Sequence, residues 1–286
     1  MVSQNLRVRF PPGQRERPPL PSVRLTSFAF LHKHFCSFMT IALVGTGQMG
    51  RAVATLAPEH GHAIVAEFDS ANPLTAASPA ALTDADVVID FSLPSVALDH
   101  IDRYCRWQQP AVIGTTGWYD ALDDVAQQVK THEATLLYAA NFSLGVAILR
   151  QALQAVGPLI DALPDFDAFV QETHHTKKAD SPSGTARVLG EDVLKAVARK
   201  THLETETQHQ RIDPSALHVT STRAGQVFGE HTIGFDGTHD QVTLAHRAKG
   251  RAGFAFGAIR AAEWLVGRQG LFTLDDALAD WIDGNA

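Results

Sequence analysis

The sequence predicts an α/β protein: a parallel sheet flanked by helices, joined to a smaller α+β unit with a mixed sheet. Three observations predict it. From Thr40 onward, short apolar runs alternate with amphipathic stretches of about 10–15 residues, the rhythm of strand and crossover helix. The first apolar run ends in a glycine-rich turn. After Asn141 the rhythm changes to a long apolar helix, and then to alternating strand-like runs.

The elements follow in order. "TIALVG" is a buried strand, because its apolar run stops at Gly45. "QMGRAVATLAPEH" reads as a helix stopped by Gly61, "HAIVAEFD" as a second strand and "ADVVIDFS" as a third. "SVALDHIDRYCRW" is a helix with Ser95 available as its cap. "AVIGTTG", "ALDDVAQQVKTH" and "ATLLYAANFS" complete the repeat as strand, helix and strand. Beyond them lie the helix "LGVAILRQALQAVGPLI", the strand "DFDAFVQETHH" and the helix "GTARVLGEDVLKAVARK", whose apolar stripe is Val188, Leu189, Val193 and Val197. Strands "LHVTSTRAG", "QVFGEHTIGF" and "DQVTLAHRA" precede a closing helix "FAFGAIRAAEWLVG" and a short "TLDDALADWI". The expected organisation is a dinucleotide-type domain over residues 39–141 with 253–286, and a second domain over 142–252 set between its two parts.

Composition excludes several classes of function. The 286 residues carry a net charge of −7. Residues 1–38 hold Arg7, Arg9, Arg15, Arg17, Arg24 and Lys33 against Glu16, a local +5 that leaves −12 on the rest. An acidic body has no excess basic charge to displace counterions, which argues against a nucleic-acid partner. Cys36 and Cys105 are too few for a disulfide framework. No run of 18 apolar residues is present to span a membrane. The expectation is a soluble cytoplasmic protein. The leader, rich in arginine and proline, is expected to be disordered or foreign to the fold: either an organellar transit peptide, or upstream of a true start at Met39.

"VGTGQMG" places Gly45, Gly47 and Gly50 in a G-x-G-x-x-G spacing, with Thr46, Gln48 and Met49 between them. It follows a strand and opens a helix, so the turn, the close backbone approach to a phosphate and the helix N-terminus coincide, as in Rossmann-type dinucleotide sites. Asp69 closes the second strand, where an acid can bond the adenine ribose hydroxyls, with Glu67 the alternative. A carboxylate there repels a 2′-phosphate, so NADH is expected to serve at least as well as NADPH. Gly114, Thr115 and Thr116 end the fourth strand and Ala139, Ala140, Asn141 and Phe142 follow the fifth. Ligands of open parallel sheets bind outside those carboxyl ends.

The densest chemistry is "QETHHTKKADSPSGTARVLGE". His174 and His175 end a strand and are expected to face opposite ways, which makes them poor partners for one metal, and no metal is expected. Lys177 and Lys178 bring positive charge close to both. Ser183, Gly184 and Thr185 start a helix, where N–H groups and hydroxyls can hold a carboxylate. Asp180 reads as a loop-closing acceptor. The set suits a small dianionic substrate that receives a proton while it accepts a hydride.

"ETHHTKKADSPSGTA" resembles the E-x-H-H-x-x-K-x-D-x-P-S-G-T-A signature of the 4-hydroxy-tetrahydrodipicolinate (dihydrodipicolinate) reductases of lysine and diaminopimelate biosynthesis. "VGTGQMG", "DFSLP", "GTTG", "AANFS", "GEHTIGF" and "RAGFAFGAIRAAEWL" fall in that family's order. The resemblance implies that His174 is a proton donor/acceptor and Lys178 the proton donor to the substrate ring, with His175, Gly184 and Thr185 on the substrate carboxylates. It implies that the glycine loop, Asp69, Gly114–Thr116 and Ala139–Phe142 hold NADH or NADPH. It also implies a homotetramer built through the second domain. Departures are Gln48, where many members have Arg or Lys, and Ser181 in place of the usual Ala. A related imine-reducing dehydrogenase and a non-catalytic NAD(H)-binding sensor are the alternative readings.

Overall fold

The computed structural model describes residues 38–284. The expectations for the leader fall on residues 1–37, outside the described residues. Five strands, three crossover helices and a late return build the first sheet: β1 (Thr40–Val44), α1 (Gln48–Glu59), β2 (Ala63–Phe68), β3 (Val87–Asp90), α2 (Pro94–Trp107), β4 (Ala111–Ile113), α3 (Leu122–His132) and β5 (Thr135–Tyr138). Next come α4 (Leu144–Asp161), β6 (Asp167–His174), α5 (Gly184–Ala196), β7 (His202–Glu204), β8 (Ala216–Arg223), β9 (Glu230–Asp236) and β10 (Gln241–Arg247). The chain then returns through α6 (Ala252–Leu265), β11 (Gly270–Thr273) and α7 (Leu274–Asp283).

The six-stranded sheet has the order β11-β5-β4-β3-β1-β2, parallel throughout. The chain leaves β1 toward β2 and then crosses to β3 on the other side. The strand order therefore reverses beside the C-terminal end of β1, the usual ligand position in such sheets. Alternate residues of each strand feed two cores. Ile41, Leu43, Val87, Ile89 and Leu137 pack with Ala258, Ile259 and Ala262 of α6, whereas Ala42, Val44, Val88 and Leu136 pack with Ile101, Tyr104 and Val125 of α2 and α3. A sheet buried on both faces explains why its strands read as apolar runs.

The second sheet is mixed, in the order β10-β9-β6-β8-β7. β6 is its centre, antiparallel to β9 and parallel to β8. Its apolar face, with Val170, Val219, Ile233 and Phe235, packs on Leu149 and Leu153 of α4 and Leu189 and Val193 of α5.

Four sequence expectations change. Ser95 does not cap α2: the helix enters through Leu93 with Pro94 in its first turn, where a missing N–H costs nothing. The run starting at Gln226 becomes a strand only at Glu230, after Gly229 with φ +152°. β7 and β11 are strands that the sequence pattern does not announce. β11 pairs parallel to β5 and so extends the first sheet with a segment from the far end of the chain.

Candidate active site

One half of the site is backbone. Gly45 has φ +88° and donates its N–H to the Phe68 carbonyl at 2.8 Å. A Cβ on Gly45 would lie 2.4 Å from the Phe91 oxygen, and one on Gly50 would lie 1.9 Å from the Gly45 oxygen. The turn therefore requires the first glycine, and the close seating of α1 requires the third. A Cβ on Gly47 would meet nothing within 4 Å. That open space fronts the first turn of α1, which carries no acid and whose amides lack intrahelical acceptors. These features fit a pyrophosphate. The side chain of Met49 packs toward the core, away from this opening.

Asp69 follows β2 directly. Its Oδ1 accepts from the amides of Asn72 (3.0 Å) and Ala71 (2.8 Å), and its Oδ2 from the Thr46 hydroxyl (3.1 Å). The Asn72 and Ala71 amides and the Thr46 hydroxyl hold this exposed carboxyl below its usual range. Thr46 thus ties the glycine loop to the acid at the end of the second strand.

The loops after β4 and β5 divide their residues between scaffold and cavity. Gly114 is pressed against the Phe91 ring, where a Cβ would come within 2.1 Å. Thr115 is buried and directed to the Ser92 carbonyl and to Asp90. Phe142 is also buried, its ring edge-on to Phe91 at 6.0 Å. Thr116, Ala139, Ala140 and Asn141 face a cavity of about 620 Å³. Behind them is a buried network that sequence reasoning missed. Asp90 accepts from the Ser92 amide and the Tyr104 hydroxyl (each 2.8 Å) and lies 2.9 Å from His100 Nδ1.

The other half of the site is made of side chains on the second sheet. Register places Glu172 of β6 opposite Ser221 of β8 and His231 of β9, and His231 in turn opposite His246 of β10. His174 lies two residues beyond Glu172, on the same face of the strand. Glu172 Oε1 accepts from the Ser183 amide, the Ser221 hydroxyl and Arg223, each at 2.8 Å, and Oε2 accepts from the Ser183 hydroxyl. Burial alone would raise this acid, but these bonds outweigh it and bring its pKa down to about 2.

His174 Nδ1 lies 3.0 Å from Glu172 Oε2, at ion-pair distance but misaligned for a hydrogen bond, and its ring meets His231 edge-on at 5.1 Å. Burial lowers the His174 pKa; Glu172 opposes that shift, and Lys178 and Arg223 reinforce it. His231 is pushed down to about 4, first by burial and then by His174. Burial lowers His246 as well.

The expected opposition of His174 and His175 does not hold. β6 ends at His174, and the chain turns there: the His175 amide donates to the Val227 carbonyl (2.7 Å), and the Lys178 amide to the His175 carbonyl (3.1 Å). Both imidazoles therefore line one cavity of about 300 Å³, together with Lys178, Thr185, His231 and His246. It shares Ala140, Asn141, Val146, Lys178 and Thr185 with the larger cavity, so the two adjoin. Lys178 Nζ sits 2.8 Å from Asp180 Oδ1, and Asp180 Oδ2 accepts from the Gly184 amide (3.3 Å), the loop-closing part expected of it.

Ser183 departs from its expected role. It is 1% exposed, caps α5 by accepting from the Ala186 amide, and gives both its amide and its hydroxyl to Glu172, so it lines neither cavity. Gly184 and Thr185 do line the space, and Asn141 donates to the Thr185 hydroxyl at 3.1 Å, bridging the two sheets' loops. Glu172 and His231 were legible only as letters inside "ETHH" and "GEHT"; cross-strand register gives them their place.

A glycine turn at the reversal point of a parallel sheet, with a second, mixed sheet that lines a polar pocket, defines a Rossmann-like α/β protein. Its relatives narrow the class. Residues 39–142 match the family model "Dihydrodipicolinate reductase, N-terminus", and residues 145–278 match "Dihydrodipicolinate reductase, C-terminus". The chain belongs to the dihydrodipicolinate reductase family. It is 33% identical over 242 residues to the 4-hydroxy-tetrahydrodipicolinate reductase of Christiangramia forsetii, covering 85% of this chain and 98% of that one. It is 36% identical over 251 residues to the enzyme of the same name from Staphylococcus aureus strain JH9, covering 83% and 100%. The solved structure of dipicolinate-bound dihydrodipicolinate reductase from Paenisporosarcina sp. TG-14 superposes with a TM-score of 0.67 at 19% identity, over 83% of this chain and 98% of that one, a likeness of fold.

Proposed function

We propose that the chain reduces 4-hydroxy-tetrahydrodipicolinate to tetrahydrodipicolinate with NADH or NADPH, the 4-hydroxyl leaving as water, in lysine and diaminopimelate biosynthesis. The carrying observation is the cavity in which Lys178, His174, His175 and Thr185 meet Ala140 and Asn141 of the loop after β5. When bound, the dinucleotide supplies a hydride. The open turn at Gly47 and the amides of Gln48–Gly50 would hold its pyrophosphate, Asp69 its adenine ribose, and Thr116 with Ala139–Asn141 its nicotinamide end. NADH is the favoured form, because the Asp69 carboxylate would repel a 2′-phosphate and position 48 is a glutamine.

Each remaining role belongs to a side chain. Lys178 delivers a proton from Nζ to the substrate ring, and Asp180 holds that ammonium at the rim of the cavity. His174, kept mostly neutral at pH 7 by burial, is placed to exchange a proton beside it. His175, Thr185 and the amide end of α5 at Gly184 offer donors to a carboxylate. The dipicolinate in the Paenisporosarcina structure's name supports a ring dicarboxylate as the ligand class. A homotetramer formed through the five-stranded sheet and a cytoplasmic location belong to the same reading; among the described residues no helix is long and apolar enough to cross a membrane.

The test is turnover of freshly generated hydroxy-tetrahydrodipicolinate by the purified protein, with loss of NADH and NADPH absorbance followed in parallel. Oxidation of either cofactor is expected, faster in kcat/KM with NADH. A folded protein that binds NADH and oxidises neither would turn the reading toward a sensor.

A further inference from the structure

We propose that Glu172, His174 and His231 form a binding site for a divalent transition metal, zinc above all, and that occupation of this site shuts the enzyme down. The three residues offer donor atoms that all lie within 4.8 Å of one another, and all three are buried. Two sit at i and i+2 of β6, and the third stands on the neighbouring strand directly opposite the first. The set is therefore fixed by sheet register and not by a mobile loop.

The state of each donor supports ligation. His231 is 4% exposed, yet neither of its ring nitrogens has a hydrogen-bond partner among the described residues. Unpartnered buried nitrogens are costly, and an imidazole is the commonest metal ligand. The His174 Nδ1 is likewise unpartnered and faces Glu172 Oε2 at 3.0 Å, while His231 Nε2 lies 3.7 Å from the same oxygen. Those spacings approximate the edges of a tetrahedron around an ion bound at about 2.0–2.2 Å. Oε1 is saturated with three donors, whereas Oε2 accepts only the Ser183 hydroxyl and keeps a lone pair. His174 and His231 both line the cavity of about 300 Å³, which gives an entry path and room for a water or substrate oxygen as fourth ligand.

Two histidines and one carboxylate with an open fourth position suit zinc. Arg223 on Oε1 and Lys178 in the same cavity oppose a second positive charge. The site is therefore inhibitory, filled at raised metal, and not a resident centre. The loss of activity rests on the role proposed for His174: an imidazole whose lone pair is given to a metal no longer takes up a proton to become imidazolium. The metal binding itself does not depend on that role.

The experiment titrates zinc into the tag-free full chain against a chromophoric chelator, repeats the titration with cobalt(II) while recording its visible ligand-field bands, and assays residual turnover. One ion per chain is expected, with cobalt bands of tetrahedral intensity and turnover that falls with occupancy and returns with EDTA. His231→Asn should weaken zinc roughly ten-fold or more, the scale seen even when an outer-shell partner is lost. His175→Asn, in the same cavity but outside the trio, should leave affinity nearly unchanged. His174→Asn provides the same loss if His231→Asn does not fold. Binding that is absent, or unchanged in both His231→Asn and His174→Asn, overturns the site as an adventitious ion only; occupancy without loss of turnover overturns the inhibition. A chain that binds one zinc through this trio yet turns over no hydroxy-tetrahydrodipicolinate would retain the site and remove the reductase reading.

Discussion

The two halves of the candidate active site are built by opposite means. At the glycine turn the candidate site is backbone: an open Gly47, first-turn amides without intrahelical acceptors and an exposed Asp69. At the second sheet it is made of buried side chains, Glu172, His174 and His231, whose charges are set by burial and, at Glu172, by the bonds it accepts from Ser183, Arg223 and Ser221. The first half tolerates little change in shape and has little charge to lose. The second can change shape at its rim, but it is sensitive to any change in charge. Substitutions on either side can break this contrast.

The largest effect is expected at the rim. Lys178→Ala should lower kcat by about 10²–10⁴, the usual value of a positioned general acid. Its melting temperature should stay close to that of the wild type, because the one ion pair lost is to the half-exposed Asp180. Turnover that is unchanged would remove Lys178 from its role.

Deeper in the same half, stability and charge are joined. Glu172→Gln leaves Arg223 without its buried counter-charge and should cost about 3 kcal/mol in a denaturant titration. The pH profile tests the same point. Glu172 has a folded pKa of about 2 against 4.5, and His231 about 4 against 6.5. Both are depressed, so both contributions are complete at high pH and are lost on acidification. The His231 part fades from pH 6.5 toward 4, and the Glu172 part from 4.5 toward 2, each on the order of 3 kcal/mol. In Glu172→Gln the lower limb should flatten while the upper limb survives; an unaltered lower limb would show that the carboxylate is not the group titrating.

At the glycine turn the neighbouring substitutions should part company. Gly50→Ala forces a Cβ to within 1.9 Å of the Gly45 oxygen, and should cost roughly 2–3 kcal/mol because rigid backbone lies on both sides. Gly47→Ala meets open space and should cost under about 1 kcal/mol, the scale of an N-cap change. It should nevertheless raise the KM for NADH, since the methyl occupies the opening that faces the phosphate. Equal destabilisation by both would mean that Gly47 serves the fold alone.

The same contrast explains what could be read from sequence. The βα rhythm, the glycine spacing and Asp69 are local patterns, and each lies where its period or spacing places it. Ser183 could not be read, because a serine at a helix start looks the same whether its hydroxyl faces a ligand or, as here, a buried glutamate. His231 is separated from Glu172 by more than 50 residues and meets it only through strand register, and His246 is set against His231 in the same way. Asp90 gave no sign of its bonds to Tyr104 and His100, since "VVID" reads as an ordinary strand end. β11 has four residues and no alternation, and β5 alone makes it a strand. Sequence shows what the backbone repeats; it does not show which side chains a sheet brings together.

The sharpest expected effect concerns Asp69. Its Oδ1 caps the Ala71 and Asn72 amides, so Asp69→Ala mixes a lost ribose contact with a loosened turn. Asp69→Asn keeps an acceptor for those amides and removes only the charge. If the carboxylate bonds the adenine ribose, KM for NADH should rise about ten-fold in the Asn variant, the lower end for a hydrogen bond to a charged group. KM for NADPH should hold or fall, because the repulsion of its 2′-phosphate goes with the charge. The direction of the NADPH change is decisive. A rise equal to that for NADH would mean that Asp69 braces the turn through Thr46, and that the choice between the two cofactors is made elsewhere.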